Sequence, residues 1–143
     1  MRYAYPVTLE PEADGDGFTA TFDGLPGATW GATEAEALAM AEDLLVTALS
    51  FYIDDGKPLP RPGLALDRPV ISVPPLVAAK LALHDVMLSA EVSNVELGRR
   101  LGVDEKAVRR LRDPLHRSHI GHIKAALRLL GKRLEVAVLG ATG

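Results

Sequence analysis

The sequence predicts an α+β fold in which a β-β-β-α-β unit is followed by an all-helical unit that contains a helix-turn-helix and ends in a strand. Three observations support this prediction. Side chains near the N-terminus alternate with a period of two, as in half-buried strands, and apolar side chains recur at helical spacing after Thr33. Two short, capped helices occupy residues 93–112. We therefore expect two domains, residues 1–73 and residues 74–143.

The first three strands are predicted from alternation and turn composition. Residues 3–9 and 18–22 suit a hairpin, because the residues between them favour a turn. The repeated Asp-Gly pair in that turn, residues 14–17, resembles part of a calcium loop but lacks the remaining ligands. A short third strand over residues 28–32 carries the only tryptophan, Trp30.

A long helix and a fourth strand complete the first unit. Thr33 and Glu36 can form a capping box, and the helix is predicted to continue to about residue 53. Its apolar stripe should lie across the sheet and consists of Leu38, Ala41, Leu45, Ala48, Leu49 and Tyr52. Prolines favour an extended conformation over residues 54–69, and residues 70–73 form the next predicted strand.

The second unit begins with a predicted helix over residues 75–90 and continues into the helix-turn-helix. Ser93 can cap the first helix of that motif, and Glu96 can complete a capping box with it. Gly102 suits the left-handed position that ends this helix, and Asp104 can cap the second helix.

The side chains of the motif divide into a small core and an outward face. The predicted core contains Leu97, Leu101, Val103, Val108 and Leu111. The second helix is predicted to present outward Glu105, Lys106, Arg109, Arg110 and Arg112. Such a polar and mostly basic face is typical of a helix that reads DNA. The alternative interpretation is an ordinary helical hairpin with a solvated charged face.

The chain is predicted to end in a further helix and a strand. Gly131 ends the helix, and residues 134–139 form a strand that has no hairpin partner nearby. The backbone N–H and C=O groups of an unpaired strand need hydrogen-bond partners. We therefore expect a homodimer or a larger even-numbered oligomer, in which the strands of two copies pair across a two-fold axis. A dimer also suits operator DNA, because two reading helices must lie about one DNA turn apart, ~34–36 Å.

Acidic and basic residues are segregated along the chain. Residues 1–90 carry five lysine or arginine residues against thirteen acidic residues, whereas residues 91–143 carry eleven against six. Because salt screens electrostatic fields within about 8–10 Å, the basic second half matters more for polyanion binding than the total charge. The distribution supports DNA binding by the second domain and a different role for the first.

The sequence gives no reason to assign a catalytic residue, a metal ion or another cofactor. It contains no cysteine, no Gly-rich phosphate loop and no nucleophile elbow. His116, His119 and His122 recur every three residues, but on a continuous helix they would not converge on a metal. Four carboxylates could form a magnesium-dependent nuclease site, and we interpret them instead as solvated surface groups: Asp23, Glu42, Asp43 and Asp54.

Membrane association is not expected from this sequence. No apolar run approaches the ~20 residues that a membrane-spanning helix needs. The first six residues also lack the apolar stretch of a signal peptide. These features favour a cytoplasmic protein.

Several stretches, taken together and in order, resemble the HicB antitoxin family. They are FTATFDGLPG at residues 18–27, GATEAEAL at residues 31–38 and the prolines on either side of Leu59, and the similarity continues through the helix-turn-helix. The resemblance implies a type II antitoxin whose N-terminal, partial RNase H-like domain binds and covers a HicA-type toxin that cleaves mRNA. It also implies that the C-terminal domain binds the promoter of its own operon. The RNase H-like fold is regarded as degenerate in the family.

The resemblance suggests how the first unit is used. An RNA-cleaving toxin needs a basic surface, which an acidic unit matches. Since aromatic anchors dominate interfaces, we hypothesise that the toxin-facing contacts include Phe18, Phe22, Leu25, Pro26 and Trp30. The alternative for the two phenylalanines is burial in the core.

The second unit also resembles the phage-repressor type of helix-turn-helix. That pattern places Asn94 at a phosphate or base-edge contact. It assigns base reading to Glu105, Lys106 and Arg110. Arg109 and Arg112 are expected to contact phosphates. Two other functions stay open, namely a repressor whose first unit senses a small ligand and a magnesium-dependent nuclease.

Overall fold

The computed structural model describes residues 1–140. Its elements in chain order are β1 (Ala4–Pro11), β2 (Phe18–Phe22), β3 (Thr29–Gly31), α1 (Glu34–Asp54), β4 (Val70–Ser72), α2 (Pro75–Ala90), α3 (Asn94–Leu101), α4 (Glu105–Arg112) and α5 (Ile120–Leu129). This order confirms the predicted β-β-β-α-β unit followed by helices. The predicted third and fourth strands are shorter in the structure, at three residues each.

The chain divides into two compact units. The sheet unit comprises Arg2–Phe51 and Pro60–Val73, and the helical unit comprises Tyr52–Leu59 and the chain from Pro74 onward. Residues 52–59 lie within the first predicted domain, but in the structure they group with the helical unit. One reason is a hydrogen bond between the carbonyl of Lys57 and His84 on α2, at 2.8 Å.

The four strands of the sheet unit form one antiparallel sheet with the order β3-β2-β1-β4. The register places Val7 opposite Phe22 and Tyr5 opposite Ile71, so these side chains share one face of the sheet. Tyr5, Val7 and Phe22 are buried there. Trp30 lies opposite Thr19 and therefore belongs to the other face.

Helix α1 packs on the apolar face of the sheet. The buried apolar residues of α1 in this unit recur at helical spacing and are Ala37, Ala41, Leu45, Ala48 and Leu49. The side chain of Thr33 caps the helix by accepting a hydrogen bond from the N–H of Glu36, at 3.1 Å. The end of strand β3 approaches the first turn of α1 so closely that a Cβ atom at Gly31 would lie 2.2 Å from the backbone nitrogen of Ala37. Glycine is therefore required where β3 meets α1.

The helical unit surrounds α2. Pro75 opens this helix at a position where a missing N–H costs nothing. The core contains side chains from all four helices: Leu83, Met87, Leu97, Val108, Leu111, Ile123 and Leu127. The helix-turn-helix is thus held on a scaffold formed by α2 and α5.

Residues 132–140 form neither helix nor strand in the single chain. Leu134 packs against the core of the helical unit, whereas Val136, Val138 and Leu139 are exposed. The predicted strand over residues 134–139 therefore has no ladder within the described part of the chain. Its pairing with a second copy stays a prediction.

Candidate functional site

The backbone of the helix-turn-helix has the predicted caps. Ser93 Oγ accepts a hydrogen bond from the N–H of Glu96 at 3.1 Å, and Asp104 Oδ1 accepts one from Ala107 at 2.8 Å. Gly102 ends α3 in the left-handed region, with φ of 74°. The second hydrogen bond of the predicted capping box, from the N–H of Ser93 to the carboxylate of Glu96, is wrong. This carboxylate pairs with Arg99 and Arg100 instead.

The turn between α3 and α4 brings the backbones of Gly98 and Val103 into close contact. The predicted burial of Val103 is wrong, because its side chain is 44% exposed. The N–H of Val103 donates to the carbonyl of Gly98 at 2.9 Å. A Cβ atom at Gly98 would lie 2.7 Å from the carbonyl oxygen of Val103. Backbone contact between Gly98 and Val103 therefore holds the turn, rather than burial of the valine side chain.

Helix α4 presents a cationic face. Lys106, Arg109 and Arg110 are exposed, as predicted. The guanidinium of Arg109 binds the carboxylate of Glu105 at 2.7 Å, and this bond holds the pKa of Glu105 below its usual value. Lys106 and Arg110 form no ion pair with another charged side chain among residues 1–140. These two cations are available to a ligand.

Arg112 does not belong to this face, so the expectation that it points outward is wrong. Its Nη1 atom donates to Asn94 Oδ1 at 2.7 Å, and its Nη2 atom lies 2.5 Å from Nδ1 of His84. Burial lowers the pKa of Arg112, and its Nε atom is buried without a partner among the described residues. The guanidinium joins the start of α3 to the end of α4.

Asn94 is also committed to this network. Its Oδ1 accepts from Arg112, and its Nδ2 donates to Glu105 Oε1 at 3.3 Å. The side chain expected to touch DNA therefore links both ends of α4. A shallow cavity of about 390 Å³ lies beside the network, lined by Ile53, Asp54, Asn94, Glu105, Arg109, Arg112 and Asp113.

His84 is held in one neutral tautomer. Because a carbonyl only accepts, Nε2 carries the hydrogen and donates to Lys57, while Nδ1 accepts from Arg112. Burial lowers the pKa of His84 against the opposing effect of the Lys57 hydrogen bond, and the positive charge of Arg112 acts in the same direction as burial. Protonation of Nδ1 would place two cations in contact.

Lys80 is a further buried cation that the sequence analysis did not single out. Its ammonium donates to the carbonyl of Arg110 and to Ser118 Oγ, both at 2.7 Å. Burial lowers the pKa of Lys80, and the negative charge of Asp113 opposes this effect. Lys80 thereby ties the last turn of α4 to the loop that follows it. Its position among apolar residues of α2 was the available signal.

The structure separates the five residues proposed to face a toxin. Phe22 and Leu25 are buried, and Phe18 is half-buried. Phe18 lies on the same face of the sheet as Phe22, because the two residues are four apart in one strand. Phe22 therefore lies in the core, as the alternative interpretation predicts, and Phe18 is only partly buried. The assignment of toxin contacts to these five residues stays a prediction. Pro26 is exposed, and Trp30 is 47% exposed.

Histidine and carboxylate side chains are dispersed over the described part of the chain. Within residues 1–140, no three His, Asp or Glu side chains gather into a potential metal site, so the four carboxylates considered for a nuclease do not converge. The rings of His119 and His122 meet edge to face, with centroids 5.6 Å apart. None of the described helices has the length and apolar character to cross a bilayer.

These features define a class of protein: a small α+β sheet unit joined to a helix-turn-helix unit. A family profile described as the HicB-like antitoxin of bacterial toxin-antitoxin systems matches residues 4–82. The chain is 40% identical over 136 residues to Antitoxin HicB 2 of Photorhabdus laumondii, which covers 94% of this chain and 96% of that protein. It is 38% identical to Antitoxin HicB of Escherichia coli K12, covering 94% and 99% of the two chains.

A third relative, Antitoxin HicB of Pseudomonas fluorescens, is 39% identical over 81% of this chain and 89% of its own length. The family match and these near full-length identities agree with the fold. This chain belongs to the HicB-like antitoxin family, as its sequence motifs predict.

Proposed function

We propose that this chain neutralises a HicA-type, mRNA-cleaving toxin through its sheet unit and represses its own operon through its helical unit. The observation that carries the proposal is the alignment with proteins named antitoxin, which extends over 94% of the chain and so includes both units. The chain acts by binding, and the proposal assigns it no catalytic residue and no cofactor.

The cationic face of α4 supports the DNA-binding part of the proposal. Lys106 and Arg110 are exposed without a charged partner among residues 1–140, and such side chains can donate to guanine edges or phosphates. We assign base reading to these two residues and phosphate binding to Arg109. Glu105 and Asn94 orient neighbouring side chains, and Arg112 acts from within the protein.

Charge supports the toxin-binding part. The sheet unit carries ten acidic residues against three arginines. A ribonuclease that grips RNA phosphates presents a cationic surface, so an acidic partner competes for the same surface. Pro26 and Trp30 are the residues of the earlier hypothesis that remain accessible.

Oligomerisation forms a third part of the proposal. Residues 134–139 contain exposed apolar side chains and have no ladder partner among residues 1–140. Pairing of this segment between two copies would satisfy its backbone groups and place two α4 helices on one operator. The expected assembly is a homodimer or a larger even-numbered oligomer.

The proposal is tested by two measurements on the full-length protein. Co-expression with the HicA-type protein of its own operon should abolish the growth arrest that this protein causes alone, and the two should form a complex in titration calorimetry. A labelled promoter fragment should be retarded by the chain, with affinity that falls as salt rises. Absence of both interactions would contradict the proposal.

A further inference from the structure

The connection between α1 and β4 displays two leucines to solvent. Leu64 is 76% exposed and Leu66 is 75% exposed. A single exposed leucine is common on protein surfaces, but two side chains this open, two residues apart, form a small apolar projection. We call residues 63–68 the leucine turn.

The leucine turn has a costly backbone conformation. Leu66 and Asp67 both have positive φ, 50° and 68°. For a residue with a Cβ atom, this region costs roughly 1–2 kcal/mol, and leucine has no polar group to offset that cost. A glycine or asparagine would adopt the same backbone with less strain. Strain of this kind concentrates at recognition sites.

The turn is nevertheless firmly attached to the sheet unit. Arg68 Nε and Nη2 donate to the carbonyls of Ala65 and Leu64 at 3.0 and 2.8 Å. Its Nη1 atom donates to Asp23 at 2.9 Å and to Thr8 at 3.2 Å. One guanidinium thus holds the turn and binds it to β1 and to the residue that follows β2. The backbone that carries the leucines is therefore held by the sheet unit itself.

Preorganisation of this kind favours binding, because little conformational entropy remains to be lost. The surrounding unit is strongly acidic, with ten carboxylates against three arginines, and Asp67 lies beside the leucines. An apolar projection within an acidic surface complements a cationic protein that has an apolar recess.

We propose that Leu64 and Leu66 are anchor residues for the cationic toxin. This inference rests on the proposed function and names a part of the toxin-binding surface that lies outside the five residues suggested by the sequence. Arg68 is a positioning residue that keeps the two leucines exposed.

The experiment compares full-length variants in titration against the HicA-type protein of the same operon. The double variant L64N/L66N removes both apolar side chains, and asparagine tolerates the left-handed backbone at residue 66. Its melting temperature should match or exceed that of the wild type, while toxin affinity falls about tenfold for each leucine lost from the interface.

A matched control is Met40→Asn on α1, since Met40 is also an exposed apolar residue of the sheet unit, at 44%. Its affinity for the toxin should equal that of the wild type. Wild-type binding that persists unchanged in L64N/L66N would overturn the inference while leaving the proposed function intact. An equal loss of affinity in Met40→Asn would also overturn it. If the wild type itself fails to bind, the proposed function fails first.

Discussion

The guanidinium of Arg112 lies inside the helical unit because acceptors on two other helices satisfy it. Asn94 at the start of α3 and His84 on α2 supply these acceptors. Arg109, three residues earlier on α4, instead forms an exposed ion pair with Glu105. Two arginines on one short helix therefore have different energetic roles.

We predict that Arg112→Ala lowers the free energy of unfolding by about 1.5–3 kcal/mol, because it removes buried hydrogen bonds of a charged group. Arg109→Ala should cost about 0–1 kcal/mol, as is usual for an exposed pair. Chemical denaturation of both variants measures the difference. Equal stability of the two variants would contradict the buried role of Arg112.

His84 predicts how stability changes with pH. Its pKa is lowered in the folded chain, so the unfolded chain binds more protons once the pH falls to about 6.5, the ordinary value for histidine. The contribution of His84 is therefore complete above pH 6.5 and is lost as the pH falls through and below that value. Denaturation midpoints measured between about pH 8 and pH 5 should decrease towards the acidic end.

The control for this pH effect is His84→Gln, since a glutamine amide can donate to Lys57 and accept from Arg112 without titrating. The decrease in stability around pH 6.5 should become smaller in this variant. If wild type and variant show the same pH dependence, the effect does not come from His84.

At the scale of the element, α4 is a helix with one cationic side and one anchored side. Lys80 binds the carbonyl of Arg110, and Arg112 binds α3 and α2. The opposite side is left to Lys106, Arg109 and Arg110. This division separates residues that hold the helix from residues that can contact DNA.

We predict that Lys106→Ala and Arg110→Ala each lower discrimination between operator and random DNA by about 1–3 kcal/mol, because each removes a base contact. Arg109→Ala should instead weaken binding to both DNAs and reduce the salt dependence by about one phosphate contact. Promoter titrations at several salt concentrations distinguish these outcomes. If all three variants lost the same affinity for operator and for random DNA, the three cations would all be phosphate contacts and none would read a base.

The junction between β3 and α1 offers a test in the sheet unit. Gly31→Ala should destabilise the protein by about 1–3 kcal/mol, because the new Cβ atom meets the backbone of α1 at Ala37 and neither chain segment can move freely. Gly63→Ala is the matched control, since a Cβ atom there has no neighbour within 4 Å. Thermal unfolding of the pair should show a large shift for the first variant and little for the second.

At the scale of the whole molecule, residues 132–140 form neither helix nor strand, and we propose that part of this segment pairs with a second copy. We predict that Val136→Asp combined with Val138→Asp converts the proposed dimer into a monomer, because exposed apolar side chains at an interface are replaced by like charges. Sedimentation at micromolar concentration measures the change. A wild type that sediments as a monomer would contradict the dimer.

Local signals in the sequence predicted the elements well. Caps such as Ser93 and Asp104 and the left-handed Gly102 fix helix ends through bonds to near neighbours, so a short window of sequence contains their cause. The cationic side of α4 followed from its helical spacing in the same way.

The errors concern side chains whose environment depends on distant residues. The helical spacing of α4 predicts that Arg112 is exposed, because its acceptors lie on α2 and α3 and are distant in the sequence. The burial of Phe22 and Leu25 likewise depends on the folded sheet unit rather than on their neighbours in the sequence. Residues 52–59 group with the helical unit, where Lys57 binds His84, and such a long-range contact leaves no local signal in the sequence.

The separation of charge has a consequence for handling the protein in solution. The helical unit carries thirteen basic residues against nine acidic ones, opposite in sign to the sheet unit, although the chain as a whole is only weakly anionic. At low ionic strength, the basic unit of one molecule attracts the acidic unit of another, and this attraction fades when the Debye length shrinks to about 8 Å near 0.15 M salt. Turbidity should therefore form on dilution into low-salt buffer and clear again when salt is restored.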